Sequence, residues 1–192
     1  MKKLIIFIFF SLFFLDLHAL ELKGKFYQGN LIIGNTEPGS RVFIDKKKIK
    51  ISNEGFFVFG LSKNRKKDII IEIIKKEDSK KIIKKIFKKK YKIQRIDNLP
   101  KNQVTPPKEF YERIKSDNKL IGEARSVNSD LTFFKDKFKV PIKNSIITGV
   151  YGSQRILNGI PKSPHYGLDF AAKEGTEIKA MLDGVVTLSE KN

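Results

Sequence analysis

No cysteine and no tryptophan occur among the 192 residues, and histidine occurs only twice. Without cysteine there is no disulfide, no thiolate metal ligand and no anchor for a lipid at an export signal. Acidic residues are sparse beside basic ones: 21 Asp and Glu against 39 Lys and Arg, for a net charge of +18. Such an excess points toward anionic surfaces, whether nucleic acid, phospholipid or acidic wall polymer. Lys, Ile, Asn and Phe are abundant together, however, as an AT-rich genome produces, so the lysines are read first as a solvated surface. No nucleic-acid-binding motif is visible, and no nucleic acid partner is expected. Hydrophobic residues make up 40%, enough for a packed core in one ordinary domain or two small ones.

Long apolar runs are missing too, with one exception. "MKKLIIFIFFSLFFLDLHA" has two lysines, an apolar stretch from Leu4 to Leu15, and then Leu17-His18-Ala19. The stretch is shorter than the ~20 residues that span a bilayer. Its three-part pattern predicts an export signal over 1–19, cleaved after Ala19. The expected location is therefore the periplasm or the extracellular cell envelope, with an anionic envelope surface as one expected partner. Cleavage removes His18 and leaves His165 as the sole histidine.

The mature chain reads as mainly β. Residues 20–97 alternate short apolar pieces with turn signals at Pro38-Gly39, Asp45-Lys46 and Asn53-Glu54-Gly55. This spacing predicts a small N-terminal antiparallel β-sandwich. "KKIIKKIFKKKYKIQRI" fits either a basic amphipathic helix or an edge strand, and the Ile-rich β context favours the strand. Residues 98–130 read as a linker and a connecting helix from about Pro106 to Ala124, capped by Thr105, with a kink near Ser116-Asp117-Asn118. From 131 to 192 the chain returns to β. Strands are expected in "FFKDKFKVPI", in "SIITGVYGSQR" and around Ile178 and Ala180, with a hairpin turn at Asp183-Gly184.

The chemistry concentrates in "PHYGLDF". His165 and Asp169 stand four apart, an even offset that puts both on one side of a strand. Tyr166, Leu168 and Phe170 would then face the core, and Gly167 would leave room for an ion or a substrate backbone. Imidazole nitrogen and carboxylate oxygen are both good zinc ligands. Two ligands do not make a site, because catalytic zinc takes about three protein ligands plus water. Arg155 has two readings: a cation that steers substrate or orients Asp169, and an ordinary structural arginine.

"GVYGSQRILNGIPKSPHYGLDFAAKEGTEIKAMLDGVV" resembles the LytM or lysostaphin-type zinc metallopeptidases, which cut peptide cross-links of bacterial peptidoglycan. The matching pieces are His165 to Asp169, Gly175-Thr176 to Ala180 and Gly184 to Val186, with Gly152-Ser153-Gln154-Arg155 and Asn158-Gly159 upstream. The linker "IDNLPKNQVTPPKEFYERI" is similar to one joining a β domain to the catalytic domain in secreted endopeptidases of proteobacteria. Where the family often has a tryptophan before the strand's proline, Val140 stands here.

The resemblance implies Zn2+ as cofactor, His165 and Asp169 as metal ligands, and peptidoglycan as partner; Arg155, in the matching upstream piece, keeps both readings, a substrate or supporting residue and an ordinary structural arginine. The family's His-x-His motif, which supplies a further ligand and a catalytic histidine, would fall after Asn192. Residues 131–192 are thus expected to form the N-terminal part of a truncated, incomplete β-sheet domain, inactive alone and holding no catalytic residue of its own. The alternative is a non-catalytic LytM-like module that binds the wall or regulates wall hydrolases.

Overall fold

In "IIIEIIK" every second residue from Ile69 to Ile73 is a buried isoleucine, and that alternation sets the first half of the fold. The computed structural model describes residues 20–190, so the expected export signal lies outside the described residues. Seven strands come first: β1 (Glu21–Lys23), β2 (Leu31–Asn35), β3 (Arg41–Ile44), β4 (Lys47–Ile49), β5 (Phe56–Gly60), β6 (Ile69–Lys75) and β7 (Asp78–Lys84). They form two antiparallel sheets, β1-β2-β5 and β4-β3-β6-β7. Ile32, Phe57 and Phe59 from the first sheet meet Val42, Ile69, Ile71 and Ile73 from the second in one core. This is the expected small sandwich. Gly34 lies opposite Phe57 in register, and the Phe57 ring occupies the space a Cβ on Gly34 would need.

Two devices hold the hairpins. Asp45 and Lys46 take left-handed backbone, with φ of 49° and 70°, as a tight hairpin turn requires. The Asp45 carboxylate then accepts Arg65 Nη1 at 2.5 Å, Arg65 Nη2 at 3.1 Å and the Ile70 N–H at 3.1 Å. The Arg65 hydrogen bond, against opposing burial, holds the Asp45 carboxyl below its ordinary value; the Ile70 N–H and the Arg65 charge assist.

The lysine-rich run after Ile74 is extended, as expected, but broken in two. β7 ends at Lys84. Phe87 then bridges Tyr27, and β8 (Ile93–Ile96) follows. Its hydrogen bonds go forward in sequence, parallel to β10 (Gln154–Leu157) in a sheet of order β11-β10-β8. Here β11 is Ile160–Pro161, and a separate pair joins β9 (Ile146–Gly149) to β12 (Asp169–Ala171). Tyr91 is wedged where the two halves meet. Its hydroxyl donates to the Gln28 carbonyl at 2.8 Å, and its ring fills the space beside Gly152. Burial, aided by the neighbouring Tyr151, raises its hydroxyl above the usual tyrosine value and keeps it a donor.

Three expectations are corrected. The helix does not start at Pro106. A short α1 (Lys101–Val104) closes at Thr105, a 3-10 turn spans Lys108–Phe110, and α2 runs from Tyr111 to Ser126. Pro106 and Pro107 each drive the preceding residue out of helical backbone, and Thr105 sits at φ −136°, ψ 112°. α2 runs unbroken through Ser116-Asp117-Asn118, where a kink was expected, and carries the i,i+4 ion pairs Arg113–Asp117 and Lys119–Glu123. Second, "FFKDKFKVPI" is not a strand. Phe133–Lys135 is a 3-10 turn, and this segment is strapped to the sandwich by side chains. Lys50 Nζ binds Asn128 Oδ1 at 3.0 Å, the Ser129 carbonyl and Asp130, and Lys135 binds Glu54.

Third, the strand and hairpin expected around Ile178 to Val186 do not form. The 139–141 and 179–181 segments share two backbone bonds, Lys139 N to Met181 O and Lys179 N to Pro141 O, both 2.9 Å. Pro141 has no N–H to extend that ladder. Among the described residues no helix is long and apolar enough to cross a membrane.

Two outcomes test this account. Because the Asp45 carboxyl is lowered on folding, its contribution is present above the ordinary aspartate value near ~3.9 and fades as pH falls through the folded value. Asp45→Asn should cost about 1 kcal/mol at neutral pH, the upper end for a solvent-screened pair. The gap in urea midpoint between variant and parent should shrink below about pH 4. Gly34→Val should displace Phe57 and destabilise the sandwich by about 1–3 kcal/mol, read in the same unfolding curves.

Candidate metal site

Asp169 opens β12 directly opposite Gly149 of β9, and the register shifts just after it. A Cβ on Gly149 would fall 3.0 Å from Asp169 Cγ and 3.2 Å from Arg155 Nη2, and closer still to Asp169 Oδ2. Glycine at 149 is therefore what lets the aspartate side chain lie across the neighbouring strand. A glycine inside a strand often marks such a close approach. That signal was legible in "SIITGVYG", yet the spacing argument placed the needed room at Gly167. At Gly167 a Cβ would meet His165 Cε1 at 3.5 Å, an ordinary contact.

The turn before β10 holds the histidine. His165 N donates to the Ser153 carbonyl at 2.9 Å, and Gly152 N donates to the His165 carbonyl at 2.7 Å. Gly152 needs φ of +87° to do this. Ser153 is buried. Two residues on, Arg155 reaches across to Asp169: Nη2 lies 2.7 Å from Oδ2, while Nε touches Gln94 Oε1 of β8 at 3.4 Å. So Gly152, Ser153 and Arg155 act on the His–Asp pair from one short stretch. Asn158 and Gly159, both left-handed, turn β10 into β11. The Asn158 side chain accepts from Leu99 N at 3.0 Å and donates to Leu99 O at 2.7 Å, tying this turn to the linker.

The orientation of 165–168 is the reverse of the one expected. Tyr166 is 65% exposed and Leu168 45%, whereas the His165 side chain is 14% exposed. The reason is local. Strand geometry begins only at Asp169, so two-residue alternation does not govern the four residues before it. Main-chain bonds to the 152–153 turn turn the imidazole inward instead.

His165 Nε2 is buried and makes no hydrogen bond. It nevertheless lies 3.0 Å from Asp169 Oδ1. The two atoms are close without being aligned as donor and acceptor. Closeness without alignment is expected of two ligands of one ion: zinc bonds of about 2.0–2.2 Å at a tetrahedral angle separate N and O by ~3.3 Å. Asp169 divides its work, with Oδ2 on Arg155 and Oδ1 beside His165 Nε2. The donor set, one imidazole and one carboxylate, suits zinc. Among the described residues no group of three His, Cys, Asp or Glu comes together. Thr176, in the second matching piece, uses its hydroxyl locally on the Lys173 carbonyl at 2.6 Å, and Val185 and Val186 are exposed.

Gly149→Ala should push the Asp169 carboxylate off Arg155 and cost about 1–3 kcal/mol. Gly167→Ala should change stability by less than about 0.5 kcal/mol. Urea unfolding of the two variants side by side checks the contrast.

Comparison of the whole chain with protein-family models and with curated proteins finds no match in either.

Proposed function

We propose that this chain carries the first half of the zinc site of an exported endopeptidase that cleaves peptide cross-links of peptidoglycan. The observation that supports this most is the buried Nε2 of His165, which makes no hydrogen bond yet lies 3.0 Å from Asp169 Oδ1. A buried polar atom that makes no hydrogen bond is destabilising, and a metal ion held between Nε2 and Oδ1 would give both atoms a partner. The resemblance of residues 149–186 to LytM-type peptidases names the same two residues as ligands.

In this reading His165 Nε2 and Asp169 Oδ1 hold the ion. The chemistry zinc supplies when bound is Lewis-acid polarisation of a carbonyl and a lowered pKa for water. Arg155 keeps Asp169 in one orientation, so that a single oxygen faces the site. Ser153 and Gly152 hold the histidine backbone and so aim its ring. In the family resembled, the remaining ligand and a proton-transferring histidine come from a His-x-His motif, which the 192 residues do not contain. A non-catalytic, wall-binding module is the outcome to expect if no such partner motif ever joins this half.

The test has two arms. This chain should bind zinc weakly in calorimetry, since two ligands leave the ion largely to water. His165→Ala and Asp169→Ala should remove that binding, and Arg155→Gln should weaken it about tenfold or more. In a protein that also carries the His-x-His motif, purified peptidoglycan should be hydrolysed, and either ligand variant should abolish turnover. Equal hydrolysis by Asp169→Ala would sink the ligand assignment. Binding to peptidoglycan with no turnover in that longer protein would leave the module reading in its place.

A further inference from the structure

Far from Asp169 in sequence, two lysine-rich loops of the sandwich meet at one cleft. The loop between β5 and β6 reads "SKNRKKD" and the run after β7 reads "FKKKYK". Lys63, Asn64 and Lys66 from the first join Lys88 and Tyr91 from the second, with Gln28 beneath, around an open cleft of about 620 Å³. No acidic residue lines it. The nearby carboxylates are engaged elsewhere, Asp45 on Arg65 and Asp68 on the Ile86 N–H at 3.1 Å. Lys63 Nζ sits 4.9 Å above the Tyr91 ring and Lys89 Nζ 5.8 Å. None of Lys63, Lys66 and Lys88 makes a salt bridge.

Three lysines lining one concavity raise its positive potential, and an anion seated among them relieves their mutual repulsion. The fold gathers these lysines from positions some twenty residues apart. Tyr91 is held at its hydroxyl by the Gln28 carbonyl, beside Gly29, and its ring packs against Gly152.

We propose that this cleft binds a ligand bearing two or more phosphate groups. Lysine serves phosphate as a point charge. A terminal phosphate carries close to two charges near neutral pH, its second pKa being about 6, so clustered phosphates match three ammoniums in less volume than carboxylates do. The inference does not rest on the zinc reading.

Titration calorimetry of the full chain with tripolyphosphate, in about 150 mM salt where the Debye length is ~8 Å, tests it. Lys63→Gln, Lys66→Gln and Lys88→Gln together should weaken binding about tenfold or more, and Lys115→Gln, Lys137→Gln and Lys143→Gln together, with the same charge loss, less than about twofold. Equal losses in the two triples would overturn the proposal, as would no binding at that salt or equal binding of citrate. Vesicles of cardiolipin, whose headgroup carries two phosphates, against phosphatidylcholine identify the source. Cleft-dependent capture on the anionic vesicles, competed by tripolyphosphate, assigns a lipid headgroup. Tripolyphosphate binding without vesicle capture assigns a soluble phosphate ligand.

Discussion

Parallel pairing of β8 with β10 is the contact on which the second half of the molecule hangs. Parallel neighbours cannot be joined by a tight turn and need a long crossover. Here α1, α2, the strap over the sandwich and β9 all lie inside that connection. Once β10 is laid beside β8, its register decides the rest. Arg155 pairs with Gln94 in the ladder, and its side chain continues past Gln94 to Asp169. The candidate site therefore has part of its support in a strand that directly follows the sandwich. Tyr91 adds a second fastening two residues before β8, from Gln28 across to the Gly152 turn that carries His165.

The sandwich was legible because its signal is local. Alternation in "IIIEIIK" and turn residues at Asp45-Lys46 act over two to seven residues, and burial follows them directly. The β8–β10 pairing was not legible, since nothing in "IQRI" specifies a partner some sixty residues away. The helix start was misread because Thr105-Pro106 looks like a cap followed by a first-turn proline, while the second proline forbids helical backbone at the first. Of the site, the His165–Asp169 spacing was visible as a pair of good ligands, and its grouping with Arg155 was one of two open readings of that arginine. Which way the pair faces was not visible. Alternation was extended backward beyond the first residue of β12, into a loop whose direction is set by main-chain bonds to Gly152 and Ser153. Gly149 carried a readable cue that was overlooked in favour of the glycine nearer the histidine.

The two halves manage their sheet edges differently. β7 ends the four-stranded sheet and presents Lys80, Lys81 and Lys84 along its length, charges that discourage pairing with another chain. The β9–β12 pair has no such guard: Ile146 and Ile147 are 71% and 54% exposed. Excess lysine thus serves the sandwich both as solubility and as edge protection. The smaller sheet leaves apolar strand surface uncovered, so its exposed positions cannot be assigned to solvent by the same argument.

The turn at Asn158-Gly159 has a consequence in chemical ageing. Asn-Gly is the dipeptide in which an asparagine amide is lost most readily, because glycine lets the following backbone nitrogen attack the side chain. At this turn that amide is not idle. It both donates to and accepts from Leu99, and so fastens the linker to the end of β10. Deamidation would keep the acceptor for the Leu99 N–H but set a carboxylate oxygen against the Leu99 carbonyl, where a donor had been. One hydrolysed amide would then loosen the linker beside the Arg155 strand without any change in the genetic sequence, and the lifetime of that bond would become a property of the protein's age.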